Sequence, residues 1–162
     1  MWHQVFLHSI RQHLLEEGFS RLRKCLEELE EEQIWYRPNE NSNAVGNLVL
    51  HLCGNLHQWV VATLGQSEDI RQRAREFAER QPIPRQQLLD KLSELEEQIA
   101  PLLDRLEEEQ LLKTYRVQIF KPSGMGILIH VSEHFSYHLG QISYITKMLK
   151  NKPLGYYDEE QL

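Results

Sequence analysis

Cysteine is scarce in this sequence. Cys25 and Cys53 are the only two among 162 residues, which allows no disulfide framework, and their spacing is not that of a metal-binding pair. A reducing cytoplasm is the compartment expected from such usage. Basic charge is in deficit as well: 18 Lys and Arg stand against 24 Asp and Glu, for a formal net charge of -6. The acidic run "LEELEEEQ" from Leu26 to Gln33 has no basic counterpart of similar density, so the electrostatic footprint of nucleic-acid binding is missing. Long apolar runs are also absent. No stretch approaches the ~18 uninterrupted apolar residues of a membrane span, and "MWHQVFLHSIRQHLLEEG" carries charges and histidines where a signal peptide needs an apolar core. Neither nucleic acid nor a membrane is an expected partner.

The 8 glycines and 6 prolines are few and clustered, and between the clusters apolar residues recur at helical spacing among Leu, Glu, Gln and Arg. The chain is therefore expected to be all-α. A first helix runs from about His3 to about Leu29, with Phe6, Ile10, Leu14, Leu22, Leu26 and Leu29 inward and Gly18 as a weak point of ~1 kcal/mol. "YRPNENSN" breaks it through Pro38, and Ser42 or Asn43 can cap a second helix from about Asn43 to Leu64. The stretch "GQSEDIRQRAREFAERQPIPRQ" holds at most one short helix before Pro82 and Pro84, after which a third helix runs from about Arg85 to Arg105. "TYRVQIF" reads as extended, and "KPSG" opens a fourth helix that continues to about Lys150. Residues 1–162 thus read as one domain, a four-helix bundle with a short extra helix between the second and third long helices. Beyond Pro153 and Gly155, the tyrosines can dock on the bundle and the last acidic residues can fray.

What the sequence does have is histidine, 8 in all. In "HVSEHFSYHLGQ", residues 130–141, three stand four positions apart on the fourth helix. At ~100° per residue, Ile127, Val131, Ile142, Ile145 and Leu149 form one stripe with His134 and His138 in its middle, and His130 at its edge. The same projection of the second helix gathers Ala44, Leu48, His51, Leu52, Asn55, Trp59 and Ala62, and turns His57 away. His3, His8 and His13 find no matching positions and read as surface or boundary residues. A single inward histidine is usually a hydrogen-bonded core residue, but three leave six ring nitrogens that apolar neighbours cannot satisfy. A divalent metal would resolve this: an i, i+4 pair turns two nitrogens toward one ion and a facing helix supplies the third. Spacing alone leaves the metal and core readings level.

"LVLHLCGNLHQW" in the second helix and "HVSEHFSYHLGQI" in the fourth resemble the paired motifs of the DinB-like superfamily, which includes the YfiT-like metal-dependent hydrolases. "WYRPNENSNAVGNLVLHLCGNL" and "TYRVQIF" resemble in particular a small uncharacterised branch of it, and the similarity runs in order along nearly the whole chain. The resemblance implies a DinB-like four-helix bundle, one divalent ion per chain on His51, His134 and His138, and a homodimer. Leu139 stands where many relatives have arginine, so an anion-binding role of that arginine is not carried over. Members resembling thiol S-transferases use bacillithiol, mycothiol or glutathione, but their substrate-binding residues are not recognisable in this chain.

Three neutral imidazoles and no protein anion would leave an ion its full charge and an open position, the form of a catalytic site. Such an ion acidifies a water or a thiol, so small-molecule hydrolysis and thiol transfer are both available. Zinc or nickel is the favoured metal for imidazole-only ligation. No glutamate sits clearly on the inner stripes, so the catalytic residues are unassigned. Asn55 and Gln141 are candidates to orient a ligand or an imidazole, with ordinary buried amides as the alternative, and Trp59 can line a pocket or simply fill core. Cys53 lies roughly 200° around the helix from His51 and is not counted as a ligand. The competing functions are a metal-fastened bundle without catalysis and an interaction module that pairs through the Leu-rich third helix.

Overall fold

A computed structural model of the chain describes residues 1–157. Four long helical rods carry the fold. The first is α1 (Trp2–Ile10), a π-helical stretch Arg11–Phe19, and α2 (Ser20–Glu28), which run on without leaving the right-handed helical region. After the one-turn α3 (Glu31–Ile34), the second rod is α4 (Val45–Leu56) continued by a π-helical stretch His57–Leu64. A short α5 (Arg73–Ala78) precedes the third rod, α6 (Arg85–Arg105), and α7 (Glu108–Leu112) precedes the fourth, α8 (Gly124–Lys150). The two isolated bridges Thr114–Ser123 and Val117–Phe120 are the sole strand-like pairings among the described residues, so "TYRVQIF" folds back as a small hairpin with Gln118 at φ 54°.

Around the bundle the first rod packs on α6 and α8, and the second rod packs on the same two. Contacts between side chains give the directions. Gly18 meets Phe135 and Cys25 meets Ser143, so the first rod and α8 run parallel. Arg11 bonds the carbonyl of Ala100 and Arg23 bonds Glu96, so the first rod and α6 run antiparallel. Trp35 hydrogen-bonds the carbonyl of Ile83 beside the start of α4, while Gly65 at the end of the second rod meets Leu102, so those two rods are parallel. A parallel pair forces its connection to travel back along a rod of about 30 Å. Residues 66–84 make that return, laid against the second rod, and α5 is the part that coils on the way.

The return segment covers what would be the second rod's solvent face. As a result α4 is buried nearly all round, including Val49, Cys53 and Leu56 as well as Leu48 and Leu52. The core joins these to Leu14, Phe19, Leu22 and Leu26 from the first rod, Leu88, Leu92 and Ile99 from α6, and Leu128, Val131 and Phe135 from α8. Phe19 stacks on Phe135 at 5.3 Å between centroids. Beside them Gly18 proves to be a close-approach point rather than a weak one: a Cβ there would lie 2.9 Å from the Phe135 ring. The Pro101 ring is accommodated inside α6, whose span Arg85–Arg105 agrees with its leucine periodicity.

Three local expectations are corrected. The second rod begins at Val45 after Ala44 and has no side-chain cap, because Asn43 and Ser42 belong to a loop organised by Asn39, whose carboxamide oxygen accepts from the Ser42 hydroxyl and the Asn41 amide. His3 is buried rather than peripheral, packed edge-on to Trp2. Helix α7 had no expected counterpart; its five residues hold through a reciprocal Glu107 and Gln110 capping box. At the far end Ser123 caps α8 by accepting from the Gly126 amide, as "KPSG" suggests. Tyr156 does dock, with its hydroxyl 2.9 Å from Cys25 Sγ and 2.7 Å from Ser143 Oγ. The last acidic residues lie outside the described residues.

Candidate metal centre

The surface of the second rod that receives the return segment reads Asn47, His51, Gly54 and Gln58, spaced 4, 3 and 4 along the helix and therefore on one face. Each contributes to one docking. Asn47 donates to the carbonyls of Glu76 and Glu79 at 2.9 and 3.1 Å, pinning the end of α5. Gly54 leaves its backbone bare, and a Cβ there would fall 2.0 Å from Glu76 Oε1. Gln58 accepts from Arg71 Nη1 at 3.0 Å and donates to Asp69 at 2.7 Å. Arg71, in turn, donates to both oxygens of Glu76, at 2.8 and 3.1 Å.

His51 stands at the centre of this face. Its Nδ1 lies 2.9 Å from Glu76 Oε2. Arg71 Nη2, which only donates, stands farther off at 3.2 Å; the nearer carboxylate only accepts, which assigns the proton to Nδ1 and points the Nε2 lone pair into the bundle. There Nε2 is 2.8 Å from Nε2 of His134. His138 has its Nδ1 2.7 Å from the Gln141 amide oxygen, which likewise places the proton on Nδ1 and frees Nε2. The three rings form a triangle with centroids 5.0, 5.0 and 4.6 Å apart, and one nitrogen of each lies within 4.8 Å of the others.

The electrostatics suit a cation. Burial, followed by the charges of His138, His51, His130 and Arg71, pushes His134 down to about 4. Burial likewise lowers His138, against the opposing hydrogen bond from Gln141. Both rings are therefore neutral near pH 7, with lone pairs available. Burial on its own would raise Glu76, but the hydrogen bonds from His51 and Arg71 outweigh it and hold the carboxyl below its ordinary value. Two imidazoles locked with Nδ1 protonated, facing a third imidazole in a half-buried triangle, are a donor set that can hold zinc or another divalent ion.

The structure brings together the three histidines picked out by spacing, with one revision of place. On α8 the buried stripe is centred on Leu128, Val131, Phe135, Leu139, Ile142 and Thr146, and His134 and His138 lie half-buried at its edge, facing the second rod. Leu139, the residue at the arginine position, belongs to this core. His130 stacks between Trp59, 4.2 Å away, and His134, 5.6 Å away. Gln141 touches a triad member. Asn55 is buried but has no hydrogen bond to another described side chain, and Trp59 reaches the site only through His130. Cys53 is buried on the opposite side of α4, its thiol pushed up to about 12 by burial. Glu76 and Arg71 had no counterpart among the expected residues; they add a buried anion behind His51, outside the group of three converging imidazoles. Their one advance sign is the stripe Asn47, His51, Gly54 and Gln58, which sets three polar side chains and a glycine on one face of a largely apolar helix and marks a face where another polar segment can lie.

Next to the centre, on the far side of Glu76, is a cavity of about 580 Å³ between α4, the return segment and α6, lined among others by Leu50, Gly54, Arg71, Glu76 and Lys91. The three histidines do not line it.

Comparison with known proteins places the fold. The model of a family described as a protein of unknown function, DUF1572, matches residues 3–156. A DinB-like protein from Bacillus subtilis superimposes with a TM-score of 0.66 at 19% identity, over 89% of this chain and 93% of that one. A conserved protein from Enterococcus faecalis gives 0.72 at 18% identity over 92% and 97%, and a DinB-like protein from Bacillus cereus gives 0.66 at 14% over 89% and 90%. The all-α fold is thus of DinB-like type. No curated protein matches the sequence.

Proposed function

The chain belongs to the DUF1572 family, and we propose that it is a divalent-metal protein whose His51, His134 and His138 together hold one ion for chemistry on a small molecule. The observation that carries this reading is the convergence of three imidazole nitrogens within 4.8 Å from two different helices, with Nε2 of His51 and Nε2 of His134 turned on each other at 2.8 Å. When bound, the ion would supply a Lewis acid able to polarise a carbonyl or to acidify water or a thiol. Hydrolysis and thiol S-transfer are the two reactions open to such a centre, with a low-molecular-weight thiol or another small molecule as substrate, and zinc or nickel as the metal. In either, Glu76 and Gln141 keep the Nδ1 protons of His51 and His138, so that both rings present Nε2. Trp59 and His130 wall one flank.

A second reading, a metal-fastened bundle without catalysis, is favoured by one observation: the neighbouring cavity opens on Glu76 and Arg71 and not on the histidines. A homodimer is part of the proposal, supported by the exposed Tyr137, Tyr144 and Met148 along one edge of α8, and is tested by sizing in solution. No helix among the described residues is long and apolar enough to cross a membrane; a cytoplasmic location is proposed from the two free, buried thiols.

Elemental analysis of untagged protein tests the metal. About one ion per chain is expected in the parent and in His130→Ala, and none in His51→Ala, His134→Ala or His138→Ala. Folded parent protein that contains no metal and ignores added zinc and nickel would sink the proposal. Chelation separates the two readings: loss of turnover on thiol or ester substrates with a small change in Tm supports catalysis, and a large drop in Tm with no turnover to lose supports fastening.

A further inference from the structure

Glu76 and Arg71 form an ion pair whose side chains are 9% and 2% exposed. Burying two charges costs several kcal/mol of solvation each, and such pairs are weak stabilisers compared with apolar residues of similar volume. The chain nevertheless gives this pair a dedicated seat. Asn47 anchors the backbone of Glu76, the missing side chain of Gly54 makes room for its carboxylate, and Arg71, steadied by Gln58, occupies the carboxylate edge on its other side. Two atoms of this assembly reach His51 Nδ1 toward the bundle interior: Glu76 Oε2 at 2.9 Å, the nearer, and Arg71 Nη2 at 3.2 Å. Gln118 at the hairpin tip also bonds Gln58, which ties a third element into the same support.

From this we infer that Glu76 is the positioning carboxylate of the metal centre, with Arg71 and Gly54 as the parts that hold it in place. Glu76 keeps the proton of His51 on Nδ1 and the plane of the ring turned so that Nε2 meets His134 and His138. The negative charge behind the ring raises the electron-donating power of His51 and partly offsets the charge of an ion in front of it. Arg71 keeps the carboxylate ionised and prevents it from swinging into the site as a ligand in its own right. The return segment is thereby a working part of the centre, and the parallel arrangement of the second and third rods is what delivers it. This inference rests on the metal reading above.

The test uses the full-length, metal-free chain titrated with zinc in competition with a chromophoric chelator. Loss of the carboxylate in Glu76→Ala is expected to weaken zinc about ten- to a hundredfold. Gly54→Ala leaves every charged group in place but fills the seat, and should weaken zinc to a similar extent. In Glu76→Gln the amide oxygen can still accept from Nδ1, so the loss should be smaller. Glu79→Gln, on the same segment but without contact to His51, should bind as the parent does. Long-range proton–nitrogen NMR of the metal-free proteins reads the tautomer directly: His51 should carry its proton on Nδ1 in the parent and become a mixture in Gly54→Ala. A merely structural Glu76 would lower the Tm of folded variants and leave both zinc affinity and tautomer unchanged, which would overturn the inference alone. A parent that takes up no zinc overturns the metal reading itself.

Discussion

His51 and the His134–His138 pair reach the same point from unlike surroundings. His51 is 4% exposed on a helix buried nearly all round, and its outer nitrogen is bonded to a carboxylate that is itself clamped. His134 and His138 are half-buried at the edge of α8; an exposed glutamine holds one, and a neighbouring ring stacks on the other. One imidazole of the cluster is enclosed and braced from behind, and the other two border solvent. Under the metal proposal, such a cluster would be held on one side and open on the other.

The contrast predicts unequal consequences for equal truncations. His51→Ala should abolish metal uptake and also destabilise the metal-free protein by about 2–4 kcal/mol, because it opens a core cavity and leaves the Glu76 carboxylate short of a donor. In denaturant titrations His138→Ala should stay within about 1 kcal/mol of the metal-free parent, as its site borders solvent. Equal losses from the two variants would break the comparison.

The pH response sharpens it. The pKa of His134 falls from 6.5 to about 4 on folding, so below pH 6.5 the unfolded chain binds a proton that the native ring refuses. Stability of the metal-free protein should therefore be fully present above about 6.5 and decline as pH falls toward about 4. Glu76, also depressed, adds its own loss only below its ordinary range near 4.5. Replacing His134 by glutamine should flatten the upper part of this decline in Tm measured against pH. A decline that persists unchanged in that variant would assign the response to other groups.

The smallest effect is expected at Gln141. Gln141→Ala removes one exposed hydrogen bond and should weaken zinc only a few-fold, less than Glu76→Ala, because solvent can replace the amide oxygen at His138 Nδ1. A loss as large as that from Glu76→Ala would mean that the two halves are held alike.

Much of this was readable along the chain. The rods follow from leucine periodicity, with α6 matching its expected span and α8 starting at "KPSG" and ending at Lys150 as expected. That His134 and His138 share a side follows from helical phase, since residues four apart on one helix must do so. Less visible was the centre of the α8 stripe, which the projection placed on the histidines. The wide apolar arc of that helix serves two neighbouring rods at once, and phase alone does not say which part each takes. The cap of the second rod differs from the expectation because Ser42 bonds within its own loop and the helix begins only at Val45.

By itself, then, the sequence determined the four long helices and the side of each on which His51, His134 and His138 lie, because helical periodicity is a local property that two or three turns suffice to display. The tertiary structure alone decided that Glu76 and Arg71 belong to the centre. They lie on a largely irregular segment with no period to project, and they arrive at His51 because two parallel rods oblige the chain to return along the face where Asn47, Gly54 and Gln58 can receive it.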